Sequence, residues 1–274
     1  EPLEELAAEQ GTCGSAVIVV TGCSAGLGRG VLDWLGARAP PGWRVAGFAR
    51  SAAAIEELQV AWGERGLFRA GDVRNASFIE AFAAEVGEAL GPVTLLINNA
   101  AFLPAEWNAK LPTLFEVSNE VFREVVETNV LGLQYVVRSF VPQMVAKKRG
   151  VVVNLSAIGG RLPSWQVGGH GWGAYLGSKW AVEGLTKALA AELPAPLAAV
   201  SLNPGVVGTP LLVRSYGAEA ASSYATAGAW AKLTTPLLLG LGRRHNGASL
   251  TSPAALKQFF AMERGWTWTS TTER

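Results

Sequence analysis

Six short apolar runs, several of them rich in β-branched residues, alternate along the chain with stretches of helical character. The runs cover 15–20, 44–49, 66–70, 93–98, 151–155 and 198–202, and helices are expected over 29–39, 52–62, 76–90, 119–146, 175–193 and 253–263. Continuous apolar runs of this length suit strands buried on both faces. Strict alternation of such strands with helices implies an α/β fold, a doubly wound parallel sheet with helices on both faces. No repeat, linker or composition break divides the 274 residues, so 1–274 reads as a single domain. Within it, 1–14 reads as an acidic arm, about 211–235 as a substrate loop or lid, and 264–274 as an irregular tail.

Composition narrows the function. Only 16% of residues are charged and 49% are hydrophobic, against about 25% charged in ordinary soluble domains. A sheet buried on both faces explains part of this, and helices facing a second subunit would explain more. A net charge of +1 gives no field for nucleic acid or an anionic membrane. The basic triplet Lys147-Lys148-Arg149 ends an expected helix, where positive charge suits the dipole. Cys13 and Cys23 form neither a disulfide framework nor a metal pattern, and no apolar run reaches the ~18 residues of a membrane span. The expectation is a soluble intracellular protein, cytoplasmic or, because the chain opens on Glu1 rather than Met, in an organelle after loss of a presequence.

Between the first strand and first helix stands Thr21-Gly22-Cys23-Ser24-Ala25-Gly26-Leu27-Gly28. Glycines in such a turn let backbone N–H groups approach a pyrophosphate, and the helix behind presents its positive end. Strand, loop and helix agree on a dinucleotide site in a Rossmann-type sheet. The second strand ends Gly47-Phe48-Ala49-Arg50-Ser51, without the acidic residue that accepts from a ribose 2′-OH. Arg50 instead suits a 2′-phosphate, so NADP(H) is favoured over NAD(H). Asp72-Val73, after the third strand, could hold the adenine amino group, or Asp72 could serve as a turn or cap residue.

Tyr175 and Lys179 stand four apart at a helix start, one turn apart on one face. An ammonium beside a phenol favours the phenolate and draws a pKa near 10 toward the working range. Ser156 follows a strand on the same sheet edge as the glycine loop. Singly, each has a bland use: Tyr as packing, Ser as a cap, Asn129 as a helix defect.

Together with Asn98-Asn99-Ala100, Thr128-Asn129 and Pro204-Gly205 with Thr209, in this order over 16–210, these residues resemble the short-chain dehydrogenase/reductase family in its compact form. The second strand and the glycine-rich segment before Tyr175 also resemble the sepiapterin-reductase and benzil-reductase branch. The resemblance implies an NADPH-dependent carbonyl reductase, or equivalently an alcohol dehydrogenase. Tyr175 would be general acid or base, Lys179 would hold the nicotinamide ribose and lower the Tyr175 pKa, and Ser156 would bond the substrate oxygen. Asn129 would interrupt regular helix bonding and hold a water relaying protons to Lys179. Asn98 and the backbone of Ala100 would line the adenosine ribose. Beyond Pro204-Gly205, Val207 and Thr209 would contact the carboxamide.

The chain departs from the family pattern in its loops. Ser156 and Tyr175 are 19 apart, the extra residues lying in 164–173, where His170 reads as an exposed loop residue. The segment 102–118 is long, and Ala101 replaces the usual glycine, which should tighten the backbone. Leu162, Trp165, Trp172, Val206, Leu211, Leu212 and Tyr216 are the apolar pocket candidates, and with Trp107 they suggest a bulky, apolar or aromatic substrate. By the same resemblance a homodimer or homotetramer is expected, with Val130, Leu133, Val137, Trp180, Leu185 and Leu189 as candidate interface positions. The competing reading is a non-catalytic NADP(H)-binding structural or sensor subunit, with Trp266 and Trp268 in the tail marking another protein partner.

Overall fold

The structure, a computed structural model, describes residues 15–104, 113–162 and 172–263. Seven strands, β1 (Val17–Thr21), β2 (Arg44–Ala49), β3 (Gly66–Ala70), β4 (Leu95–Asn98), β5 (Val151–Leu155), β6 (Ala198–Asn203) and β7 (Ser249–Thr251), form one sheet in the order β3-β2-β1-β4-β5-β6-β7. Every pairing is parallel. The order reverses between β1 and β4, where the two halves of a doubly wound sheet part and leave a crevice beyond the strand ends.

Residues alternate between two cores, one on each face. On one face Ile18, Val20, Val45 and Ile97 pack with α1 (Gly26–Gly36), α2 (Ala52–Trp62) and α9 (Ala227–Leu239). On the other, Val17, Val19, Ala46 and Leu96 pack with α3 (Ala76–Ala89) and α5 (Gly132–Ala146). Period-two alternation in a run that is apolar on both faces yields a sheet with no wet side. Side-chain oxygens close helix starts: Ser51 Oγ accepts from Ala54 N at 3.4 Å, and Asn75 Oδ1 from Phe78 N at 3.0 Å.

Several boundaries differ from the sequence expectation. The first helix starts at Gly26, because the last glycines of the loop form its opening turn. The long helix expected over 119–146 divides into α4 (Asn119–Val126), a π-helical turn at Glu127–Leu131, and α5, which runs on through Pro142. The irregularity falls at Asn129, as expected. The stretch read as a lid is mostly helical, with α7 (Pro210–Tyr216), α8 (Ala218–Ser222) and α9. Strand β7 was not anticipated: with one large apolar residue in three, it has no pattern of its own and forms by pairing with β6. The helices α6 (Gly173–Glu192) and α10 (Pro253–Glu263) match expectation closely.

The tryptophans divide by use. Trp43, Trp62 and Trp230 are buried in the first core; Trp107, Trp165, Trp266, Trp268, Cys13 and His170 lie outside the described residues. Among the interface candidates Leu133 is buried, and Val137 and Leu189 are partly buried against the second core. Trp180 and Leu185, at 51% and 37% exposure, stay available. No helix among the described residues is long and apolar enough to cross a membrane.

Trp230 Nε1 donates to Pro204 O at 3.0 Å, so one fully buried side chain both fills the core and fixes the loop after β6. Trp230→Ala is expected to destabilise the fold by about 3–5 kcal/mol, read as a lower midpoint in urea unfolding. An unchanged midpoint would remove Trp230 as the link between α9 and that loop.

Candidate active site

The loop after β1 is held by a set of hydrogen bonds across the crevice. Thr21 Oγ1 accepts from the backbone N–H groups of Asn99 and Ala100, each at 3.0 Å. Asn99 Nδ2 donates back to Thr21 O at 2.9 Å and Gly22 O at 3.1 Å. Gly22 has φ +66°, and a Cβ there would lie 2.8 Å from Ala100 Cα. A Cβ on Gly28 would lie 2.7 Å from Asn99 Nδ2. Glycine is therefore required at both positions by close approach, and at Gly22 by conformation as well.

Beyond these residues a cavity of about 750 Å³ runs along the C-terminal ends of the strands, within the ~300–1,000 Å³ usual for small-molecule and cofactor sites. Gly22, Ser24, Gly26 and Leu27 line it from the glycine loop; Arg50 after β2; Asp72 and Val73 after β3; Ala100 after β4. Ser156 follows β5, Tyr175 and Lys179 stand on α6, and Pro204, Gly205, Val207 and Thr209 follow β6. Four expected contacts do not line it. Thr21 and Gly28 act from behind, as just described, and Asn98 Nδ2 is spent on Asn154 Oδ1 at 2.8 Å between β4 and β5. Asn129 is buried too, its Oδ1 accepting from Phe102 N at 2.7 Å and its Nδ2 donating to Phe102 O and Ser178 Oγ at 2.9 and 3.0 Å. Ser178 Oγ then donates to Tyr175 O at 2.6 Å, so Asn129 ties the loop after β4 to the helix turn bearing the tyrosine.

A family model described as short chain dehydrogenase matches residues 16–220. The chain belongs to the short-chain dehydrogenase/reductase family. Curated relatives include an NADPH-dependent pterin aldehyde reductase of Arabidopsis thaliana, 37% identical over 85% of this chain and 92% of its own. A galactitol 2-dehydrogenase of Cereibacter sphaeroides is 33% identical over 73% of this chain and 74% of its own. Among solved structures, a short-chain dehydrogenase of Streptomyces avermitilis superposes with TM-score 0.71 at 25% identity, covering 92% of this chain and 93% of that one. A variant actinorhodin polyketide ketoreductase determined with NADPH superposes with TM-score 0.70 at 27% identity, covering 86% and 95%. The chain is an oxidoreductase of carbonyl and alcohol groups.

In this short-chain dehydrogenase/reductase, Lys179 is 3% exposed, and its Nζ donates to Leu155 O at 2.9 Å and lies 5.5 Å from the centre of the Tyr175 ring. Burial pushes Lys179 down to about 8, against the attraction of Glu183. Burial, with a smaller contribution from Tyr216, pushes Tyr175 up to about 12. Loss of hydration holds the phenol protonated at neutral pH. Ser156 Oγ is buried with no hydrogen-bond partner in the protein, although it lies close enough to Glu183 to favour that carboxylate's ionised form.

Sequence reasoning missed the polar groups behind the wall. Glu183, 6% exposed, accepts from Ser201 Oγ at 2.5 Å and Ser249 Oγ at 2.8 Å, and lies 3.3 Å from Arg161 Nε. Burial raises its pKa, but the bonds from Ser201 and Ser249, the nearby Ser156 hydroxyl and the charge of Arg161 outweigh it and hold it below the usual value. The available signal was its place one turn beyond Lys179 on the same helix face. At the other end of the cavity Asp72 is tied to Arg74, whose Nη2 lies at 2.7 Å and backbone N at 2.9 Å, the turn role left open from sequence. The Arg74 side-chain hydrogen bond is the largest influence holding Asp72 below its usual value, with Arg50 a smaller one.

Gly22→Ala would place a methyl against the Ala100 backbone in a left-handed conformation costing about 1–3 kcal/mol. NADPH binding, followed by the cofactor's fluorescence, is expected to weaken by about tenfold or more, since each 1.4 kcal/mol is a factor of ten. Wild-type affinity in that variant would show that the approach is not needed.

Proposed function

We propose that the chain is an NADPH-dependent reductase of ketones or aldehydes, apolar or aromatic, working through Ser156, Tyr175, Lys179 and Asn129. The observation that carries this is the wall itself: an unpartnered Ser156 hydroxyl and a protonated Tyr175 line the cavity with the Lys179 ammonium behind the phenol. The Arabidopsis relative, named for NADPH-dependent reduction of a pterin aldehyde, agrees in reaction and cofactor.

The residues present fit a dinucleotide. The Gly22 turn lets backbone approach, α1 directs its N-terminus at the loop, and the cavity is long enough to cross from Arg50 to Tyr175. The nicotinamide of such a cofactor supplies the hydride. Ser24, Gly26 and Leu27 would hold the pyrophosphate, and Thr209 and Val207 the carboxamide side. Arg50 stands unopposed by an acid of its own, because Asp72 is neutralised by Arg74; that balance favours a 2′-phosphate. Charge-assisted hydrogen bonds of about 1.5–3 kcal/mol correspond to a preference for NADPH over NADH of about 10- to 100-fold.

At the reacting end, Ser156 donates to the carbonyl oxygen and stabilises its growing negative charge. Tyr175 gives its Oη proton to the same oxygen, and in the oxidative direction takes it back. Lys179, charged below about pH 8, stabilises the phenolate left after transfer. Asn129 keeps the Tyr175 turn in place through Ser178.

Three experiments test this. Tyr175→Phe is expected to cut NADPH oxidation with an aromatic aldehyde by about 10²–10⁴-fold, the usual worth of a general acid, while NADPH still binds. Wild-type turnover in that variant, or faster use of NADH than NADPH by the native protein, would sink the respective part. The alkaline limb of the pH profile follows loss of the Lys179 proton, so activity is present below about pH 8 and falls as pH rises through it. Glu183→Gln removes the charge that supports Lys179, and the limb is expected to move to lower pH; an unmoved limb would separate Glu183 from the site.

A further inference from the structure

The reacting end of the same cavity carries a pattern that the reaction alone does not use. Trp172 stands at the start of α6 with its ring 6.2 Å from Tyr175 and 5.9 Å from Tyr216, tilted by 51° and 42°. All three line the cavity, so an aromatic ledge leads from the proton donor to the last turn of α7. Leu211 and Leu212 continue the wall without polar groups. An aromatic ring entering the cavity can make stacked or edge-to-face contacts with such rings.

Two residues before Tyr216, Arg214 also lines the cavity. It is exposed and takes part in no ion pair among the described residues. The other cations on the wall have assigned places: Lys179 is bonded to Leu155 O, and Arg50 belongs to the opposite end. Asp72, beside Arg50, is the sole carboxylate among the described lining residues, and it is spent on Arg74. The reacting end therefore presents an aromatic ledge, a free guanidinium and no acid among the described residues. A guanidinium fork matches a carboxylate in shape as well as charge.

Resting on the reductase reading above, we propose that the substrate is a planar aromatic or heteroaromatic aldehyde carrying a carboxylate away from the reacting carbon. Its ring lies on Trp172 and Tyr216, and its carboxylate pairs with Arg214. Arg214 is then the residue that sets specificity, through binding rather than through the chemical step.

The test compares para-carboxybenzaldehyde with its neutral methyl ester, methyl para-formylbenzoate, using NADPH and the full chain. The native protein is expected to favour the carboxylate by about tenfold in kcat/KM. Arg214→Ala is expected to erase that selectivity through KM, and Arg214→Glu to invert it, with partial recovery in Arg214→Lys. No preference in the native protein, or equal losses for both aldehydes, overturns the proposal. A rise in the KM for NADPH in place of the aldehyde KM also overturns it, since Arg214 would then serve the cofactor. Reduction of the ester without preference for the carboxylate leaves the reductase reading intact, whereas reduction of neither aldehyde counts against that reading. In that case calorimetric titration with para-(hydroxymethyl)benzoate in the presence of NADPH decides for Arg214: about tenfold tighter binding to native protein than to Arg214→Ala supports it, and equal binding overturns it.

Discussion

The hydrogen bonds between Thr21, Asn99 and Ala100 hold the place where the sheet reverses direction. Parallel strands leave their C-terminal ends on one edge, and β1 and β4 diverge there into loops with unpaired backbone groups. One buried hydroxyl accepts two of those N–H groups, and one amide returns to two carbonyls. Such bonds are individually modest, about 1 kcal/mol net, yet they align the glycine loop with the loop after β4. Gly22 and Gly28 follow from this closeness rather than from the phosphate alone, since each faces the partner loop at less than 3 Å from where a Cβ would stand.

A second layer of buried polar residues stands behind the cavity wall that carries Ser156, Tyr175 and Lys179. Asn129, Asn154 and Glu183 each join elements distant in sequence: the loop after β4 to α6, β4 to β5 and α6, and α6 to β6 and β7. Buried polar groups of this kind are costly unless satisfied, and satisfied they hold one arrangement. The π turn at Glu127–Leu131 sits in this layer: it carries Asn129, whose side chain closes on the Phe102 backbone and Ser178. The layer leaves Ser156 Oγ unpartnered at the wall, and Lys179 and Tyr175 displaced in opposite pKa directions by the same loss of water.

Much of the fold was legible because it is written in local pattern. Six of seven strands announce themselves as apolar runs, and β7 does not, since three residues with one leucine pair only because β6 presents an edge. The glycine loop, Ser156, Tyr175 and Lys179 were readable from spacing. Asn98 and Thr21 were read as cofactor contacts; their side chains are turned to structural partners, a choice that depends on which neighbouring strand is in reach. Glu183 and Arg161 were invisible because 22 residues separate them, and the pairing exists only once α6 lies on β5 and β6.

The sequence by itself determined the parallel α/β layering, the glycine loop between β1 and the first helix, the one-turn spacing of Tyr175 and Lys179 and the absence of an acid after β2. Each is a matter of residue type at short range: periodicity, glycine where backbone must approach, one helical turn between Tyr175 and Lys179. The tertiary structure alone decided electrostatics and access. Burial, with a smaller contribution from Tyr216, pushes Tyr175 up to about 12, and that depends on how much water the fold removes. Which cations stay free likewise depended on distance in space: Arg74 lies against Asp72 and Arg161 against Glu183, while Arg214 faces the cavity without an ion-pair partner among the described residues.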